Sequence, residues 1–237
     1  LCTRPRTPLR RLPEPKMTGT LALVGGGEWS DGCTFDQRLI ELAHTDTVAV
    51  LPTGSAYENP TAVMERARVW FEQLGAKAIE VPVLTRPDAF VPEYIEVVRS
   101  SRFTYLAGTS AMHLRSVLKD SPLFEALVGA YQSGGVLAGT NAGADVLCDP
   151  MVDARGGAFT VGLGVVSNLA VIPRSNTWSH DKIHRTVALA PPGLAVAEIP
   201  EATALIRDPD GLWHSEGVGE VQVYIDRTPA RLADLKV

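Results

Sequence analysis

The residues Gly139-Thr140-Asn141-Ala142-Gly143 have the spacing of a nucleophile elbow, G-x-S-x-G, with Asn141 where the serine would stand. Such an elbow serves acyl transfer. A hydroxyl at its apex attacks a carbonyl, and backbone N–H groups at the following helix start, here at Ala142, stabilise the developing oxyanion. The apex residue sits in a strained turn, so its neighbours must be small. A carboxamide cannot take the serine's part, because its nitrogen lone pair is delocalised into the carbonyl. Taken alone, the five residues fit a plain Gly-rich strand-to-helix turn equally well.

Other residues could carry displaced chemistry. Ser110 or Thr140 offers a hydroxyl, and His113 or His180 could act as its base. His180 and His184 either reach the site through a folded-back loop or face solvent at a helix start. Gly25-Gly26-Gly27 lacks the G-x-G-x-x-G spacing of a dinucleotide site, and the Glu28 that follows would repel phosphate. Cys2, Cys33 and Cys148 are scattered, without metal-ligand spacing, and are expected as free thiols in a reducing cytoplasm. Neither a metal nor a cofactor is expected.

The elements that must position these residues alternate. Apolar runs at Thr20–Val24, Thr47–Leu51, Ala78–Val83, Phe103–Leu106 and Val136–Ala138 read as strands, the second stopped by Pro52. Helical patterns lie between them, near Phe35–Ala43, Pro60–Leu74, Tyr94–Arg99, Met112–Leu118 and Pro122–Tyr131. This alternation predicts an α/β fold with a mostly parallel sheet flanked by helices in three layers. After Asp149 the pattern changes. Residues 156–173 suggest short strands, a helix is expected near Asp181–Ala190, and short antiparallel strands near Ala202–Arg207, Leu212–Ser215 and Val218–Ile225.

The sequence has 237 residues, 45% hydrophobic and 21% charged, enough for one sizeable domain with a core. Its formal net charge of -5 argues against attraction to nucleic acid or an anionic membrane. No run approaches the ~20 apolar residues of a membrane helix. Residues 1–16 are rich in Arg and Pro, without a secretory apolar run. They are expected as a loose tail, with translation beginning at Met17 and a single domain spanning 17–237.

With these pieces in order, the stretch from Leu21 to Tyr224 resembles the peptidase E and cyanophycinase-like serine peptidases, which share the class I glutamine-amidotransferase-like fold. The resemblance is carried by Val24-Gly25-Gly26-Gly27, Leu51-Pro52-Thr53, Leu106-Ala107-Gly108, the elbow, the block from Asp149 to Gly157, Glu201-Ala202-Thr203-Ala204-Leu205 and Gly217-Val218-Gly219. It implies that Asn141 replaces the nucleophile and that Arg174, after Val171-Ile172-Pro173, replaces the general-base histidine. A guanidinium stays protonated and cannot act as a base. Glu201 corresponds to the acid that orients the histidine. Gly108-Thr109, followed by Ser110, corresponds to an oxyanion loop usually made with two glycines, and Gly27, in the glycine turn after the first strand, is expected with them as an oxyanion or binding residue.

Three functions follow from the resemblance. One is a catalytically impaired protein that keeps a pocket for a small peptide-like or carboxylate ligand. Another is an active hydrolase with a displaced nucleophile. The third is a non-enzymatic scaffold, whose exposed patches would have to come from Trp29, Trp70, Trp178 and Trp213, although tryptophans at these spacings more often belong to the core. Family members cut Asp dipeptides or Asp–Arg polymer, and nothing in the sequence chooses between them. Assembly is open between a monomer and a homodimer, and the expected location is the cytoplasm.

Overall fold

The computed structural model describes residues 19–236, so the expected tail at 1–16 and Cys2 lie outside the described residues. The first strand already decides the layering. In β1 (Thr20–Val24), Leu21 and Leu23 join one apolar cluster while Ala22 and Val24 join another, and all four are fully buried. A strand apolar on both faces belongs to a sheet covered on both sides.

Next in sequence come α1 (Phe35–Ala43), β2 (Thr47–Gly54), α2 (Pro60–Gln73), β3 (Lys77–Glu80), α3 (Pro92–Ser100) and β4 (Phe103–Gly108). They lead into α4 (Ala111–Leu118), α5 (Pro122–Gln132), β5 (Val136–Thr140) and α6 (Ala142–Leu147). Helices α1 and α2 cover one face through Phe35, Leu39, Met64 and Phe71. Helices α3, α4 and α5 cover the other through Ile95, Leu114, Leu118 and Leu123. The helix starts follow local rules. Asn59 accepts the Ala62 N–H at 3.0 Å ahead of α2, and Ser121 accepts the Phe124 N–H at 3.2 Å ahead of α5.

Beyond α6 lie four two-residue strands, β6 (Cys148–Asp149), β7 (Met151–Val152), β8 (Phe159–Thr160) and β9 (Val166–Ser167). They are followed by β10 (Leu169–Pro173), α7 (His180–Ala188), β11 (Ala195–Ile199), β12 (Thr203–Arg207), β13 (Trp213–Gly217), β14 (Gln222–Ile225) and β15 (Thr228–Ala230). The main sheet has the order β13-β12-β1-β5-β4-β2-β3. Its five central and far strands run parallel, and β12 and β13 add on antiparallel. A second sheet has the order β10-β11-β14-β15.

The mostly parallel α/β sheet agrees with the expectation from sequence. Three details differ. Pro52 does not stop β2, which runs to Gly54, because the register with β4 shifts between Leu51 and Gly54 and asks no ladder N–H of the proline. Strand β11 carries no strong alternation and is not expected from the pattern. The strand expected over Val218–Ile225 begins only at Gln222 and pairs with β11 rather than extending the main sheet. Cys33 and Cys148 are buried free thiols. Trp29, Trp70 and Trp213 are buried, so they form core rather than exposed patches.

Candidate active site

The loops at the carboxyl ends of β1, β4 and β5 converge, as expected where strand order reverses in an open parallel sheet. Between β5 and α6, Asn141 has φ 51° and ψ -110°, a combination costly for any residue with a Cβ. The surroundings hold it there. Its N–H donates to the Val24 carbonyl at 2.9 Å, and its own carbonyl accepts the Asp145 N–H at 3.1 Å. The flanking glycines allow close packing. A Cβ on Gly143 would lie 2.3 Å from the Leu106 carbonyl oxygen, and one on Gly139 would lie 2.5 Å from the Gly143 carbonyl carbon.

Arg174 follows β10 in the left-handed region, with φ 53° and ψ 37°. Its N–H donates to the Gly25 carbonyl at 2.6 Å, and its Nε donates to Glu201 Oε1 at 2.9 Å. Asn176 fixes the same carboxylate from the other side. Its Nδ2 donates to Glu201 Oε2 at 3.2 Å, and its Oδ1 accepts the Glu201 N–H at 2.9 Å. Gly26 lies beneath this pair. A Cβ there would stand 2.8 Å from Arg174 Cγ and 3.6 Å from Asn141 Cβ, so the arginine stem passes over the glycine next to Asn141. Gly27 abuts Glu201 Cβ, and the Ala202 N–H donates to the Gly26 carbonyl at 2.7 Å. One glycine turn thus binds the Asn141, Arg174 and Glu201 segments together.

Asn141 and Arg174 line a cleft of about 440 Å³, together with Thr109, Ser110, Ala142 and Trp178. The loop after β4 departs from expectation. The N–H groups of Thr109 and Ser110 both donate to the Gly54 carbonyl, at 3.2 and 3.0 Å, so neither is free for an oxyanion. Thr109 Oγ1 bonds the Glu58 carboxylate. Gly108 makes this contact possible, since a Cβ there would stand 2.2 Å from Gly54. Ala142 is the first residue of α6, where helix geometry gives an N–H no intrahelical partner.

Two features of the cleft go beyond the sequence reading. Asp145 lies four residues beyond Asn141 on α6 and lines the cleft with a buried carboxyl. Burial pushes its pKa well above the carboxylate range, opposed by the Val152 N–H donated to Oδ1 at 2.8 Å. Its helical spacing from Asn141 was the available signal. Asp153 and Arg155 form a rim pair, in which the Arg155 side-chain hydrogen bonds hold the Asp153 pKa down to about 2.

The displaced pairings expected from sequence are not assembled. His180 and His184 line a second groove with Glu198, Tyr224 and Arg227, not the cleft at Asn141. Helix α7 starts at His180, capped by Ser179, and carries both side chains to that groove. His113 Nε2 lies 2.8 Å from the Leu84 carbonyl, while Ser110 Oγ caps α4 by accepting the His113 N–H at 3.3 Å. Thr140 is fully buried and donates to Glu28 Oε2 at 3.0 Å.

The model of peptidase family S51 matches residues 21–208, which hold all three of Asn141, Arg174 and Glu201. The chain belongs to peptidase family S51. A cyanophycinase from Geminocystis herdmanii is 29% identical over 171 residues, covering 65% of this S51 protein. The protein spans 61% of the length of that relative. A solved peptidase from an acI-B1 actinobacterium superposes with a TM-score of 0.80 at 29% identity, covering 91% of this protein and 94% of its own length. A candidate peptidase E protein from Listeria monocytogenes EGD-e shares the fold, with a TM-score of 0.64 at 18% identity over 85% of this protein and 99% of its own length. Among the described residues of this S51 protein, no helix is long and apolar enough to cross a membrane. No group of three or more His, Cys, Asp or Glu side chains is disposed to hold a metal among them either.

Proposed function

We propose that this S51 protein binds a small peptide-like or carboxylate-bearing ligand in the cleft at Asn141, and that it lacks serine–histidine hydrolysis. In this reading Asn141 occupies the nucleophile's place in an elbow, Arg174 the base's place and Glu201 that of the orienting acid. The observation that carries it is the 2.9 Å pair between Arg174 Nε and Glu201 Oε1 beside Asn141. A histidine in that place would take a proton from a serine. A guanidinium bound to the same acid cannot, but it can present its remaining N–H donors to a carboxylate. The N–H of Ala142 and the carboxamide of Asn141 supply further polar contacts. Loss of nucleophile or base alone typically removes several orders of magnitude of rate.

The sealed Thr140 and the helix-capping Ser110 speak against an active enzyme with a displaced nucleophile. The test pairs binding with turnover. Asp-containing dipeptides should bind the parent protein, measured by calorimetry, without being hydrolysed. The double change Asn141→Ser with Arg174→His should gain hydrolysis. Parent turnover at an ordinary enzyme rate that Asn141→Ala abolishes would overturn the proposal.

A further inference from the structure

The backbone of Asn141 is set for a reaction of its own side chain. An asparagine forms a succinimide when the backbone nitrogen of the next residue attacks its carboxamide carbon, Cγ. The five-membered ring requires that nitrogen and the Cβ to be nearly eclipsed about the Cα–C bond. In an L-residue, Cβ lies one third of a turn from the residue's own nitrogen about that bond. The ψ of -110° therefore brings Ala142 N almost into line with Asn141 Cβ. Helical and extended residues hold the two far from this alignment, which is why folding ordinarily protects asparagine.

Three further observations favour closure here. The turn is locked by the Val24 and Asp145 hydrogen bonds on either side of Asn141, and by the packing of Gly139 on Gly143. The attacking nitrogen belongs to the first residue of α6, so breaking its N–H costs no intrahelical bond. Asn141 also lines an open cleft, where water can reach the product.

We infer that Asn141 is a self-modification site, converted through a succinimide with Ala142 to aspartate and isoaspartate. Ala142 N loses its proton and bonds to Asn141 Cγ. The Cγ–Nδ2 bond breaks, and ammonia leaves carrying the proton. Water then opens the imide. Cleavage of the Cγ–N bond gives aspartate, and cleavage of the backbone C–N bond gives isoaspartate. Either product places a carboxylate beside Arg174. This inference is independent of which ligand the cleft takes.

The experiment incubates the purified full-length protein in heavy-oxygen water, folded and in parallel unfolded in urea. Peptide mass spectrometry follows residue 141, and isoaspartyl methyltransferase labelling reports isoaspartate. The expected result is conversion several-fold faster in the folded protein, with one heavy oxygen incorporated and isoaspartate present. Conversion equal or slower in the folded protein would overturn the inference, because the fold would then contribute nothing. Aspartate without isoaspartate would overturn it in favour of direct hydrolysis. Backbone scission between residues 141 and 142 would overturn it in favour of the carboxamide nitrogen as attacker.

Discussion

Arg174 reaches Glu201 by passing its side chain over Gly26, where a Cβ would crowd it. The arginine's Cγ would stand 2.8 Å from a Cβ at Gly26, while its Nε lies 2.9 Å from Glu201 Oε1. Residues separated by most of the sequence are therefore one mechanical unit. Gly26 also has φ 101°, a region that L side chains rarely adopt.

The Gly26→Ala change should accordingly destabilise the protein by about 1–3 kcal/mol, through backbone strain and displacement of the arginine stem. Part of that cost should vanish in an Arg174→Ala background, because the clash partner is gone. A double-mutant cycle by urea denaturation should give a coupling of about 0.5–3 kcal/mol. Strict additivity of the two changes would show that the stem is not held against the turn.

Two glycines in the helices test packing against propensity. Gly143, the second residue of α6, has the Leu106 carbonyl oxygen 2.3 Å from its notional Cβ, whereas Gly129 in α5 has nothing within 4 Å. Gly143→Ala should destabilise by about 1–3 kcal/mol. Gly129→Ala should stabilise by roughly 0.5–1 kcal/mol, since alanine restricts the unfolded state and suits a helix interior. Thermal denaturation of the two variants should give shifts of opposite sign.

Much of this arrangement can be read from the sequence, for identifiable reasons. Leu21, Leu23, Ala22 and Val24 alternate between two cores, so β1 announces a doubly covered sheet. The Gly139–Gly143 spacing announces a tight turn, because packing distances act on neighbouring residues. The Asn141, Arg174 and Glu201 association is a contact between distant segments, and it is legible through family resemblance rather than periodicity. The direction of His180 is not legible, because it depends on how α7 packs beside β11, and β11 has no clear pattern. The sequence leaves the Thr109 N–H free, yet it donates to Gly54, whose approach depends on the β2–β4 register shift. No local pattern encodes that shift.

Asp36 gives the stability a pH dependence. It is fully buried in the first turn of α1, and Trp70 Nε1 donates to its Oδ2 at 2.9 Å. Burial pushes its pKa up from 3.8 to about 8, with Trp70 opposing and nearby Glu28 adding to the rise. The folded state thus keeps a proton that the unfolded state releases. The stability from this group is fully present below about pH 4 and falls as pH rises towards about 8, with no further loss above that. Asp36→Asn keeps a carbonyl for Trp70 and removes the titration. Its melting temperature should vary less across that window than the parent's. Parallel curves for the two proteins would show that Asp36 does not contribute.

The two grooves can be told apart by ligand binding. Arg174 lines the cleft at Asn141, while His180 lines the groove beside Tyr224 and Arg227. If Arg174 clamps a carboxylate, Arg174→Ala removes charge-assisted hydrogen bonds contributing about 1.5–3 kcal/mol. That corresponds to a roughly tenfold to hundredfold weaker Kd for an Asp-containing dipeptide. Arg174→Lys should recover only part of the affinity, because an ammonium cannot hold Glu201 and a ligand carboxylate with one planar fork. His180→Ala should leave the Kd unchanged. Calorimetric titration of the three variants reads this directly. A loss with His180→Ala and none with Arg174→Ala would move the binding site to the second groove, where α7 rather than the glycine turn would set its chemistry.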